Sequence, residues 1–265
     1  CVCPRALCRA AIQYAVDSSY CDFQPRTHIK AISREDHLWW LSAADGRRFG
    51  PFKKLVLASG ASLTALPQTS ALPASPFRGQ VSEVATQGGL GALKAVLCAK
   101  GYLTPAWEGI HCLGASYIKD PEQLAYSDAE QRENLQKIAM SYPDADWHRG
   151  LVMGQDARVG VRMVTRDHFP MLGQAPDVGA LMQAYQQHQH TPESARYWQQ
   201  TLAPVHPGLY ILGGLGSRGL STGPLAAEIL ASELCHQPLP VGSTLLQRLN
   251  PNRMWMRKLI KGKAL

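Results

Sequence analysis

The stretch LYILGGLGSRGLSTGP, Leu209 to Pro224, holds the residues best placed to do chemistry. An apolar run leads into Gly214, Gly216 and Gly219, spaced G-x-G-x-x-G, and then into a helix-like segment. Glycines let a backbone approach a ligand closely, and a helix N-terminus offers free N–H groups at the positive end of its dipole. Such a loop could bind a pyrophosphate, clamp an electron-rich ring carbonyl such as that of a flavin, or serve only strand–helix packing. Arg218, at its centre, could hold a substrate anion.

Pyrophosphate binding needs a second parallel strand ending in an acid about 20 residues on, to hold the ribose. Glu228 and Glu233 lie inside the helix instead, and QPLPVGSTLLQRLNP after it carries no strand pattern. The motif therefore reads as the closing loop of a fold whose opening strand lies elsewhere. KLVLA (Lys54–Ala58), followed by the tight turn SGAS, has the look of a strand ending at a ligand crevice.

These loops need elements to carry them. The sequence predicts a helix over Pro4–Ala15, strands over Thr27–Ser33 and Leu38–Ser42, and a hairpin turn at Asp45-Gly46. The Pro-rich run Pro67–Pro76 reads as a crossing between domains. Strands follow at Gly79–Thr86, Ala95–Cys98, Tyr102–Thr104 and Ile110–Ser116, then a helix at Ser127–Met140 and a strand at Val159–Thr165. His168–Gly173 reads as a turn with a short apolar run. Helical stretches lie around Leu181 and Ala195. A strand at Leu209–Leu212 and a helix at Pro224–Leu234 close the pattern.

At 265 residues the chain can bury a sizeable core, and 45% hydrophobic residues mark it as globular. Its apolar runs are too short to span a membrane. The N-terminus, CVCPRALCRA, has no initiator Met and no signal-peptide pattern, and reads as the middle of a longer chain. Seven scattered cysteines without C-x-x-C fit a reducing cytoplasm, and no Cys/His spacing suits a metal. His188 and His190 lie in a polar run that reads as surface. No Ser–His–Asp set is apparent. Net charge is +7, and after Glu233 there is no acid while Arg248, Arg253, Arg257, Lys258, Lys261 and Lys263 follow. That basic tail is either a solvated surface or a contact for nucleic-acid phosphates, with Trp255 suited to packing or to base stacking.

GLYILGGLGSRGLSTGPLAAEILASELC resembles the C-terminal flavin-contacting strand, loop and helix of the D-amino-acid-oxidase-like FAD enzymes, which include glycine and sarcosine oxidases. VCPRALCRA, LVLASGAS, FRGQVS, GYLTPAWEGIHCLGASY, RVGVRMVTRDHFPMLGQAPD and NPNRMWMRKLIKGKA extend the resemblance along nearly the whole chain. Within that family the segments are most similar to the flavin-dependent half of bacterial bifunctional enzymes that modify the wobble uridine of tRNA. Those enzymes begin with a methyltransferase domain and then carry the FAD fingerprint, neither of which is found here. An N-terminally truncated chain that exposes apolar surface is therefore expected to be weakly stable or to aggregate.

The resemblance implies a mixed α/β fold: an incomplete Rossmann-like FAD-binding domain (residues 1–67 and 166–265) and an antiparallel-sheet substrate domain (68–165). It implies FAD as cofactor, tRNA as partner and a cytoplasmic setting. The implied reaction oxidises the carboxymethylaminomethyl arm of the wobble (thio)uridine to the aminomethyl form and glyoxylate. An amino-acid oxidase of the glycine or sarcosine type, and an inactive fragment lacking FAD, stand as alternatives. Arg162 matches the family's strand arginine for substrate carboxylates and Arg218 its loop arginine. Arg162 could instead pair with Asp167, and Arg166 is a rival if the strand stays regular. Tyr102 is expected on the substrate side or packed in the core. Gly214, Leu215, Gly216, Ser217, Arg218, Gly219 and Leu220 match the flavin clamp. Ala58 and Gly60 match the turn passing the ADP moiety, and Ile29 the strand residue facing adenine. Gly79 and Gln80 are expected to approach the flavin.

Overall fold

A computed structural model describes residues 2–119, 121, 123–148, 151–188 and 194–261. The chain divides into two compact units, Cys1–Pro73 with Asp167–Leu265, and Ala74–Arg166. His190 and Lys263 lie outside the described residues, as does the side chain of His188.

The first unit begins with α1 (Pro4–Asp17), started by Pro4 at its first turn and carrying no buried residue. β1 (Ile29–Glu35), β2 (Leu38–Ala43) and β3 (Arg48–Phe52) form an antiparallel three-stranded sheet. Asp36 and His37 turn the first hairpin with φ of 47° and 66°, and Gly46 at 90° turns the second, so each tight turn uses left-handed backbone. Trp39 on β2 is 2% exposed, and its indole Nε1 donates to the Pro207 carbonyl at 3.0 Å. β4 (Leu55–Leu57) follows.

The second unit is one antiparallel sheet crossed by a helix. β5 (Ala74–Ala85), β6 (Leu97–Cys98), β7 (Tyr102–Leu103), β8 (Ile110–Gly114) and β10 (Met153–Thr165) run in the order β10-β5-β8-β7-β6, with β9 (Ile118–Lys119) also on β5. β5 starts inside the Pro-rich run expected as a crossing, with Pro76 opposite Met163. β10 is longer than the sequence indicated, starting six residues earlier across an irregularity between Met153 and Ala157. α2 (Asp128–Ser141) is capped by Ser127, whose Oγ accepts from the Glu130 amide at 3.4 Å, and Asp128 and Glu130 favour its positive end. Val84, Leu90, Leu103, Leu113 and Ile138 form the core between sheet and helix.

The chain then returns to the first unit. β11 (Met171–Pro176) corrects the expected turn: the turn sits at residues 166–168, and MLGQAP pairs with β12 (Val205–Gly213). Between them lie α3 (Val178–His188) and α4 (Ser194–Gln200). The sheet order is β11-β12-β4, with β12 antiparallel to β11 and parallel to β4. α5 (Gly219–Leu234) starts five residues before Pro224, which stands inside it. Its Ala226, Ile229 and Leu230, at helical spacing, bury against Leu172 and Tyr210 of the sheet. α6 (Ser243–Leu249) and α7 (Arg253–Leu259) complete the unit.

The basic end is built into this unit. Trp255 and Met256 pack on Leu181, Trp198 and Leu259. Arg253 donates to both carboxylate oxygens of Asp167, at 2.9 and 2.8 Å, and to the Phe169 carbonyl at 2.7 Å. Arg257, Lys258 and Lys261 remain exposed.

Candidate active site

The pleat of β5 sorts its side chains onto two faces. Arg78, Gln80, Ser82 and Val84 turn toward α2, and Phe77, Gly79 and Val81 face the other way. On that second face Gly160 of β10 stands opposite Gly79, and Gly114 of β8 opposite Val81. Three glycines thus leave a patch of sheet without side chains. A Cβ at Gly160 would meet nothing within 4 Å, so the floor is open there, while Arg162 lies over Gly79 and Val81 and Tyr102 flank Gly114.

Arg162 and Tyr102 border the floor. Arg162 stands opposite Phe77, and its guanidinium folds over Gly79, where a Cβ would lie 2.1 Å from Nη1. That Nη1 is buried without a hydrogen-bond partner among the described residues. The expected rival partner, Asp167, is held by Arg253. Tyr102 stands opposite Gly114. Burial raises the Tyr102 phenol above its usual range, and the Arg162 charge partly offsets this. A desolvated guanidinium lacking an acceptor is a ready carboxylate site, because its fork matches two carboxylate oxygens. Arg166 falls in the turn after β10 and is exposed.

Gln80 is placed differently from Gly79. Its side chain lies on the α2 face, donating to the Ser127 carbonyl at 2.8 Å and accepting from the Ser127 amide at 2.8 Å. Arg78 Nη2 also donates to it at 3.1 Å. Arg78 and Glu130 form a buried ion pair at 3.0 Å, and the Ser116 hydroxyl donates to Glu130 and accepts from the Gln80 amide at 2.7 Å. Asn134 Nδ2 donates to the Gln80 carbonyl at 3.0 Å. This network fixes the strand that carries Gly79 from behind.

In the first unit, β4 and β12 run parallel with Leu57 beside Ile211, so both carboxyl ends open at one edge. Ala58 and Gly60 follow β4, and the Gly214–Arg218 loop follows β12. Gly60, Gly214 and Gly216 have φ of 55°, 66° and 56°, backbone that favours glycine. Leu63 sits over Gly213, where a Cβ would come within 2.6 Å of it. α5 has no side-chain cap, because its N-cap residue is Arg218, whose guanidinium cannot accept, and the Ser221 and Thr222 hydroxyls donate to the Arg218 carbonyl at 3.0 and 2.8 Å. The Ser221 and Thr222 amides donate to the Arg218 carbonyl at 3.1 and 2.9 Å, which leaves the Gly219 and Leu220 amides facing the loop without an acceptor among the described residues. Leu215, Ser217 and Leu220 lie along this loop and first turn, and Arg218 is exposed. Ile29 lies apart from this edge in the sheet of β1, opposite Ala43.

Residues 1–233 match the family DAO, FAD dependent oxidoreductase. The chain belongs to this family. Two features fit the flavin that DAO enzymes use: a glycine loop in left-handed backbone at the carboxyl ends of parallel strands, and an uncapped helix behind it. Ala58, Gly60 and the 214–220 loop lie at the carboxyl ends of β4 and β12, where they could hold it. The MnmC protein of Shewanella baltica strain OS195, named a tRNA 5-methylaminomethyl-2-thiouridine biosynthesis bifunctional protein, is 57% identical over all 265 residues. That of Shewanella oneidensis, with the same name, is 53% identical over 269. The chain spans 37% and 38% of these relatives' lengths. Glycine oxidase from Geobacillus kaustophilus shares the DAO fold, with TM-score 0.69, 20% identity, and 92% of this chain and 56% of that one covered. L-proline dehydrogenase from P. horikoshii does so with TM-score 0.64, 15% identity, and 97% and 60% covered.

The glycines at 114 and 160 escaped the sequence reading. Their signal is a glycine inside a strand pattern, as in RVGVR, which marks close approach to another group. Among the described residues no group of three His, Cys, Asp or Glu could hold a metal, and no helix is long and apolar enough to cross a membrane.

Proposed function

We propose that this chain is the flavin-dependent part of a cytoplasmic enzyme acting on the wobble (thio)uridine of tRNA. It oxidises the carboxymethylaminomethyl group to the aminomethyl form and releases glyoxylate. One observation carries the reading. Identity to a protein named for this tRNA modification is 57% along the whole chain, against 20% to glycine oxidase.

In this reading residues 1–67 and 166–265 bind FAD and residues 68–165 bind the substrate arm. Ile29, Ala58 and Gly60 serve the ADP half, while Gly79 and the 214–220 loop serve the isoalloxazine. Gln80 contributes by holding Gly79 in place, since its side chain is committed to α2 and its backbone to Ser116 and Asn134. FAD supplies a two-electron hydride acceptor when bound. Arg162 grips the carboxylate with its unpaired Nη1, and Arg218 gives a second cation. Tyr102 keeps its proton and offers a hydroxyl at the rim of the floor. Held so, the substrate loses a hydride from the glycine-derived carbon and a proton from nitrogen. Water adds to the resulting C=N bond, and cleavage of that C–N bond yields glyoxylate and a primary amine. A methyltransferase domain then takes that amine.

The test uses the chain loaded with FAD and tRNA bearing the carboxymethylaminomethyl group. Glyoxylate release, matched by the aminomethyl nucleoside in a digest, is the expected result. Turnover of free glycine or sarcosine without action on tRNA would replace this reading with an amino-acid oxidase. A protein left colourless after desalting from FAD would remove the activity from this chain.

A further inference from the structure

Strand β10 reads Arg158-Val159-Gly160-Val161-Arg162, and its alternation puts both arginines on the glycine-floored face. Arg158 stands opposite Val81 and Arg162 opposite Phe77, with Gly160 between them over open space. Four residues of strand separate their Cα atoms by about 13 Å. The two cations differ in setting. Arg162 is half-buried with an orphaned Nη1, whereas Arg158 is exposed and has no hydrogen bond or ion pair among the described residues. Glu83, on the same face of β5, makes no ion pair with it.

A free amino acid fills the inner position only. A nucleotide that presents a carboxylate arm is longer. From the carboxylate, across base and ribose, to a phosphate spans on the order of 10 Å at ordinary bond lengths. We infer that Arg158 binds a backbone phosphate of the RNA substrate and thereby selects the nucleotide-borne amine over the free amino acid. The inference rests on the function proposed above. The net charge of +7 favours the same polyanion.

The experiment compares a modified anticodon stem-loop with the same modified nucleoside lacking phosphate, using the FAD-loaded chain. Arg158→Ala lowers kcat/KM for the stem-loop about tenfold, the loss of one charged hydrogen bond, and leaves nucleoside turnover unchanged. The slope of log affinity against log salt falls by about one. Arg158→Lys keeps most of the RNA activity, since a phosphate accepts a point charge. Equal losses on both substrates, or an unchanged stem-loop rate and salt slope, would overturn the assignment. A wild-type chain that fails to oxidise RNA, yet binds it with an Arg158-dependent salt slope, would keep the phosphate site and sink the reaction.

Discussion

Gly79→Ala separates the chemistry of this site from its stability. Gly79 lies in extended backbone on β5, so alanine meets no conformational penalty there. Its Cβ, however, would stand 2.1 Å from Arg162 Nη1, and 2.7 Å from both Cζ and Nη2. Carbon and nitrogen pack comfortably near 3.5 Å, so the guanidinium must retreat by about 1 Å or more. It can do so, because it is the end of a flexible side chain bonded to nothing among the described residues. The unfolding free energy should therefore change by less than about 1 kcal/mol, as for substitutions that break no packed contact. A carboxylate gripped by a guanidinium 1 Å out of place is presented wrongly, and such an error costs about 100-fold in rate. The assay is glyoxylate release at saturating and limiting substrate, beside urea unfolding of both proteins. A Gly79→Ala protein with wild-type kcat/KM would refute the placement of the carboxylate under Arg162. One that loses several kcal/mol would refute the claim that the guanidinium can move aside.

Further outcomes are expected elsewhere in the molecule. Glu130→Ala leaves Arg78 charged at 4% side-chain exposure and should lower unfolding free energy by about 3–5 kcal/mol in urea. Glu233 is held above its usual carboxylate range by burial, with Lys54 pulling partly the other way. Its contribution is therefore present below the unfolded pKa and lost as pH rises through the folded one. Glu233→Gln should raise the thermal midpoint at pH 7, and the gain should vanish below about pH 4. α1 buries no residue, and a 14-residue helix without packing is marginal in water. Its amides should exchange with deuterium far ahead of those of β12 and α5, and equal protection would refute this.

The loop at 214–219 and the LVLASG turn were legible because both combine a short apolar strand with small residues, a local signal. The floor was not, because Gly79, Gly114 and Gly160 sit on three strands and meet only once register is set. β11 was hidden by Pro170 just before it, Pro176 at its end and Gly173 within it, which break the alternation that marks a strand. The start of α5 was misread at Pro224, because proline favours a first turn. Gly219 starts it instead, and tertiary packing of Ala226 and Ile229 outweighs the glycines. Gln80 was expected beside the flavin from the resemblance, and only the pleat shows that its side chain belongs to the α2 face.

The buried network behind β5 also limits how this sequence can change over time. Arg78, Gln80, Ser116 and Glu130 each satisfy at least two others or the backbone nearby. Exchanging one member strands a charge or a polar atom in the core. Replacing the ion pair by two apolar residues would remove both charges, yet it would still orphan the Gln123 carbonyl and the Ser116 hydroxyl that they serve. The four positions can therefore drift only as a block. The exposed Arg158 has no partner among the described residues and stands outside that block.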